Sequence, residues 1–151
     1  MRVQDLMTKA VETVSQRTSA EVAFERMRLK RIHHLAVMDG TQLAGVVSDR
    51  DMGGRQGASL RKDRTVADLM TRPVVNVQPT TPIRKAANLM RGRSIGCLIV
   101  TDKSRVVGIV TAADLLELLG RGADRSIERS KRWTLKHRAP HRKRASATGA
   151  W

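Results

Sequence analysis

Slid against itself by 63 positions, the 151-residue sequence superposes residues 3–52 on residues 66–115 without a gap. Eighteen of those 50 positions are identical, where chance gives about three, so the chain is a tandem duplication. "VQDLMT" (3–8) returns as "VADLMT" (66–71), "IHHLAVMD" (32–39) as "IGCLIVTD" (95–102), and "GVVSDRD" (45–51) as "GIVTAAD" (108–114). A unit of about 60 residues buries little core alone, so the two copies are expected to share one. We divide the chain into a first repeat (1–62), a second repeat (63–120) and a C-terminal tail (121–151).

Each copy has the same local plan. In the second, Thr81 is expected to cap a helix with Pro82 in its first turn, followed by an apolar stripe of Ile83, Ala86, Ala87 and Met90. Ser19 takes the capping role in the first copy, ahead of Ala20, Ala23, Phe24 and Met27. A hairpin follows, with strands at 32–38 and 43–48, or at 95–101 and 106–111. The second copy then reads as a short helix, "AADLLELLG", stopped by Gly120. In the first copy Gly53, Gly54 and Gly57 loosen the matching helix.

The opening of that last segment has two readings. Ser48-x-x-Asp51 and Thr111-x-x-Asp114 both match a capping box, which only starts a helix. Yet the acid is Asp in both copies where Glu or Gln is usual. Each motif also follows Gly-aliphatic-aliphatic, so the hydroxyl stands where a strand ends and helical N–H groups begin. Such a start favours an anion, and a short carboxylate beside it can accept from two vicinal ribose hydroxyls. Hydroxyl, helix start and carboxylate together suit an adenosine nucleotide.

At these residues the repeat resembles a pair of cystathionine-β-synthase (CBS) domains, a Bateman module. The resemblance covers residues 1–120. It implies an α/β fold of two β-α-β-β-α repeats, packed through their small sheets with pseudo-twofold symmetry and leaving two clefts. It further implies AMP, ADP or ATP as ligand, with S-adenosylmethionine as an alternative, and pairing of modules into a homodimer. Carried over residue by residue, the first cleft uses Ser48, Arg50 and Asp51 with Val75, Ile95 and Gly96. There the aliphatic side chains flank the adenine, Asp51 takes the ribose, and Ser48 with Arg50 faces phosphate. The second cleft uses Thr111 and Asp114 with Glu12, Ile32, His33 and His34. Glu12 departs from the apolar residue the family has near the adenine, and Ala113 replaces Arg50. The first cleft is therefore favoured, because arginine stays charged where histidine is mostly neutral. His33 and His34 also admit a structural reading, since one of two adjacent strand residues faces inward.

No catalytic constellation is visible, so the chain reads as a non-enzyme with no catalytic cofactor. His33, His34 and Cys97 lack metal-ligand spacing, and no metal is expected. Cys97 is the only cysteine and lies in an apolar strand, which points to packing. No apolar run approaches membrane-spanning length, and the N-terminus lacks a secretory core, so a cytoplasmic setting is expected.

Charge separates the tail from the repeats. Of the net +15, residues 1–120 hold 19 basic and 12 acidic side chains (+7), and residues 121–151 hold 10 and 2 (+8). By composition the tail is a solvated extension; functionally, it suits nucleic acid or an acidic protein partner through phosphate neutralisation. Three function classes follow: an adenosine-ligand sensor, a nucleic-acid binder with the repeats as dimerisation scaffold, and a structural module whose Ser/Thr-x-x-Asp pairs only cap helices.

Overall fold

The structure is a computed structural model that describes residues 1–121. In chain order the elements are α1 (Val3–Leu6), β1 (Thr13–Ser15), α2 (Ala20–Lys30), β2 (His34–Asp39), β3 (Gln42–Ser48), a 3-10 turn (Gly54–Gln56) and α3 (Ala58–Arg61). The second half continues with α4 (Val66–Leu69), β4 (Asn76–Val77), α5 (Ile83–Arg93), β5 (Cys97–Asp102), β6 (Arg105–Thr111) and α6 (Ala112–Arg121). The expected mixed α/β plan is present twice. Each repeat forms a three-stranded sheet, with β1 parallel to β2 and β2 antiparallel to β3, and with β4, β5 and β6 arranged in the same way.

The central strand of each sheet is apolar without alternation because both of its faces are covered. Leu35 and Val37 enter a core with Ala23, Phe24 and Met27 of α2, and Leu98 and Val100 enter one with Ala86 and Met90 of α5. Between them, Ala36 and Ile99 face the opposite way and meet in a third cluster with Ile109, which joins the two sheets. That seam draws on both repeats, with Val46 from one and Val74 and Cys97 from the other packed around it.

A second device ties the copies together, and residue patterns alone do not reveal it. The opening segment of each repeat seals the core of the other. Val3 and Leu6 of α1 are buried in the second repeat's core, and Val66 of α4 in the first's. Backbone bonds fix the exchange: Val3 N–H donates to Thr81 (2.8 Å), and Val66 N–H to Thr18 (2.9 Å). Thr71 and Val46 exchange a pair of backbone bonds (2.8 and 3.2 Å), as do Thr8 and Ile109 (2.8 and 2.9 Å). This crossing explains the glycine of both "Gly-h-h-Ser/Thr" motifs. A Cβ on Gly45 would lie 2.6 Å from Met70 Sδ, and one on Gly108 would lie 2.5 Å from Met7 Sδ. The methionine of each "DLMT" therefore occupies the space a side chain would need in the other copy.

Three local expectations are corrected. Pro82, not Thr81, holds the N-cap position of α5, and the Thr81 hydroxyl accepts from Gln78 N–H at 3.1 Å. Ser19 does cap α2, accepting from Val22 N–H at 3.1 Å, and Pro82 is its counterpart 63 residues on. Ile32 and Ile95 precede their strands instead of starting them. Each follows a left-handed residue, Arg31 or Ser94, and donates back to Met27 or Met90 at 3.0 Å. That is a Schellman ending, with the isoleucine as its apolar plug. Lastly, α6 runs through Gly120 to Arg121, the last described residue. The tail expectations lie outside the described residues.

Candidate functional site

Both Ser/Thr-x-x-Asp motifs close as reciprocal caps at the end of their second strand. Asp51 Oδ2 accepts from Ser48 N–H at 2.9 Å, and Ser48 Oγ accepts from Asp51 N–H at 3.0 Å. Thr111 and Asp114 repeat this at 2.9 and 3.2 Å. The capping reading of these tetrapeptides is therefore correct as geometry. It also locks each carboxylate at the strand end, which a ligand site needs as much as a helix does.

Asp51 has a further contact that a simple cap would not require. The Thr71 hydroxyl, from the second repeat, donates to Asp51 Oδ2 at 3.4 Å. The crossing of "DLMT" over β3 puts it there, so the first motif sits at a junction between repeats. Asp51 Oδ1 has no hydrogen-bond partner among the described residues, and the side chain is half-buried. Thr71 is not among the expected site residues. The recurrence of its "DLMT" in both copies is the one signal that points to it.

The histidines divide their roles. His33 is exposed, and its Nδ1 lies 2.9 Å from Asp49 Oδ2. His34 opens β2 opposite Ser48 and is half-buried. Its Nε2 lies 3.9 Å from the position a Cβ on Gly96 would take, so it reaches the second repeat. Burial pushes the His34 pKa below its ordinary value, opposed by the carboxylates of Asp49, Asp51 and Asp114. It is thus a neutral imidazole at neutral pH, within the field of both motif aspartates. Its counterpart 63 residues on, Cys97, is pushed up to about 11 by burial first and by Asp51 second. That thiol stays protonated and unreactive at neutral pH.

The remaining expected residues are dispersed more widely. Arg50 is exposed, and its guanidinium makes no hydrogen bond among the described residues. Val75 and Ile95 are half-buried against the second repeat's core, and Ile32 lies against the first's. The Glu12 side chain turns to Lys30, with Oε1 2.8 Å from Nζ. The carbonyls of Glu12 and Val75 play equivalent parts, accepting from Ala36 (3.1 Å) and Ile99 (3.3 Å). Two open cavities have neither motif aspartate in their walls. One, of about 720 Å³, is lined by Leu43, Ala44, Arg72, Pro73, Val74 and Asn76 among others; the second, of about 700 Å³, lies beside Ser19, Arg61 and Thr65. Among the described residues, no cluster of three or more His, Cys, Asp or Glu side chains could hold a metal.

The family model of the CBS domain matches residues 3–52 and 66–121. A CBS domain-containing protein of Dictyostelium discoideum is 33% identical over 130 residues, covering 78% of this chain and 90% of its own length. A homoserine O-acetyltransferase of Methanohalobium evestigatum is 34% identical over 119 residues, but the chain spans only 24% of that enzyme. Among solved structures, the CBS domain pair of protein MJ0100, in complex with 5'-methylthioadenosine and S-adenosyl-L-methionine, is 28% identical with a TM-score of 0.73. It covers 80% of this chain and 97% of its own.

Proposed function

This chain belongs to the CBS domain family, and we propose that its tandem pair is a non-catalytic regulatory module binding an adenosine ligand between the repeats. The observation that carries the reading is the Asp51 carboxylate. It is clamped on one oxygen by its own cap and by Thr71 of the other repeat, with the second oxygen unpaired among the described residues. A ribose with two vicinal hydroxyls is the natural partner of such a group. The adenosine ligands of the MJ0100 pair support the class. AMP, ADP or ATP is the proposed ligand, with S-adenosylmethionine as the alternative. In the first cleft Ser48, Arg50 and Asp51 act with Val75, Ile95 and Gly96. In the second, Thr111 and Asp114 act with Glu12, Ile32, His33 and His34.

Signalling is assigned to a homodimer. Val22 and Leu29 on α2 and Leu116 and Leu119 on α6 are exposed by 54 to 75%, and apolar helix side chains of this kind suit packing against a second copy. A separate reading, favoured by the ten basic residues of 121–151, gives the tail a salt-sensitive contact with nucleic acid or an acidic protein. Truncation after residue 120 should abolish retention on DNA or RNA; equal retention by the truncated chain refutes that reading.

The deciding experiment is a thermal-shift screen of ligand-free protein with AMP, ADP, ATP, S-adenosylmethionine, 5'-methylthioadenosine and NAD. A ligand at 100 times its Kd stabilises the folded state by about 2.7 kcal/mol. The shift should vanish in an Asp51→Asn, Asp114→Asn double variant, in which the amide oxygen still accepts the capping bond. No shift with any of these compounds rejects the reading.

A further inference from the structure

The side chain of Arg61 is only 3% exposed, in a chain whose other described basic residues all reach solvent. Its guanidinium meets three polar partners through Nη1 and Nε. Nη1 donates to the carbonyls of Met52 (2.9 Å) and Gly54 (2.6 Å), and Nε to Glu21 Oε2 (2.8 Å). The carbon at its centre stands 3.7 Å from the centroid of the Phe24 ring on α2. Arg61 therefore joins three parts of the first repeat: the turn after Asp51, helix α2, and α3 at the crossing to the second repeat.

The reason for this arrangement lies in how the two motifs continue. After Asp114 the chain stays helical to Arg121, so backbone N–H groups of later turns hold the segment carrying that carboxylate. After Asp51 a single turn forms, with Gly53 N–H donating to Arg50 (3.0 Å) and Gly54 N–H to Asp49 (3.0 Å). Gly53 and Gly54 then adopt left-handed φ of 82° and 63°, and no α-helix grows from the turn. The Met52 carbonyl loses the helical donor that α6 supplies at the equivalent place, and the Gly54 carbonyl keeps only the short-range N–H of Gly57 (3.1 Å). Arg61 Nη1 donates to both.

Resting on the ligand reading above, we infer that Arg61 is the positioning residue of the first cleft, holding the Asp51 turn in place of the helix that holds Asp114. A planar fork suits this role because two carbonyls and a carboxylate must be met at once; an ammonium group could not satisfy all three and stack on Phe24.

The test uses the full chain in two backgrounds, titrated with AMP, ATP and S-adenosylmethionine. With Asp114→Asn, only the first cleft reads out, and there Arg61→Met raises Kd about tenfold while Glu21→Gln raises it about twofold. With Asp51→Asn, the same Arg61→Met leaves second-cleft Kd within about twofold. Equal weakening of both clefts, or an unchanged first cleft, overturns the inference. Amide hydrogen exchange supplies a readout without ligand: Arg61→Met should speed exchange at residues 52–57 by about tenfold or more and leave 112–118 unchanged. Unchanged exchange at 52–57 also overturns it. Should Arg61→Met fail to fold, Glu21→Gln keeps both carbonyl bonds and carries the same comparison in smaller form. If none of the three ligands binds the wild-type chain, the ligand reading fails while exchange still decides the role of Arg61.

Discussion

The two repeats begin their Ser/Thr-x-x-Asp motifs alike and finish them differently. Thr111 and Asp114 open a ten-residue helix whose own backbone secures it. Ser48 and Asp51 open one turn that Gly53 and Gly54 end. There a buried side chain, Met52, and the Arg61 fork secure the backbone instead. Around these caps the neighbours diverge as well. His33 pairs with Asp49 in the first repeat where Gly96 and Ala112 stand in the second, and His34 answers to Cys97. Duplication thus preserved the carboxylate geometry and released the supports around it. Under the proposed function, two binding sites of one ancestry would then differ in affinity and in pH response.

The largest effect should come from what the copies share. Gly45→Val and Gly108→Val each drive a side chain into a methionine and a threonine carbonyl of the other repeat. Each should cost about 3 kcal/mol in urea unfolding, because overpacking at a crossing has no room to relax. Equal costs confirm the twofold equivalence; a clear difference shows that one crossing dominates. Next, Met52→Ala empties a fully buried position in the glycine-rich turn and should cost about 3 kcal/mol. Its counterpart, Leu115→Ala, removes a half-buried side chain on an intact helix. That loss should be about half as large or less, since partial exposure shrinks the transfer term. A reversed order would contradict the view that the first turn relies on side-chain anchoring.

Cap deletions should be smaller and nearly matched. Ser48→Ala and Thr111→Ala each remove a hydroxyl that accepts from the Asp N–H, worth about 1 kcal/mol by thermal unfolding. The smallest effect separates the copies by pH. Burial holds the His34 pKa below its ordinary 6.5, so the unfolded chain binds more protons than the folded one as pH falls through that value. Stability from this site is then present above the unfolded pKa and declines as pH falls toward the folded one. His34→Cys, the second repeat's residue, should flatten the decline between about pH 7 and pH 5, by less than about 1 kcal/mol. An unchanged profile would assign the pH response to other groups.

Much of this architecture is legible from pattern because it rests on local chemistry. The stripe Ala20, Ala23, Phe24 and Met27 is buried as its spacing requires. The hairpins and the glycine-loosened turn also follow from residue type. The cap at Thr81 is misplaced by one residue because an apolar stripe locates a helix only to within a residue or two, and Pro82 stands where Ser19 stands in the other copy. The cap at Ser48 is visible in the sequence, but its junction with Thr71 is not, since 20 residues separate Asp51 from that hydroxyl. The burial of Arg61 has no sequence signal at all. A lone arginine between leucine and lysine reads as surface until its carbonyl partners are placed.

By itself, the sequence determined the duplication, the α/β plan of each copy and the pairing of hydroxyl with carboxylate. All of these depend on spacing within a few residues or on repetition of the same words. Only the tertiary structure decided that each "DLMT" closes the other copy's core, that Thr71 reaches Asp51, and that Arg61 is buried against Phe24 and Glu21 of α2. Such contacts form between segments far apart in the chain, and hydrophobic burial of both sheet faces, not any local preference, brings those segments together.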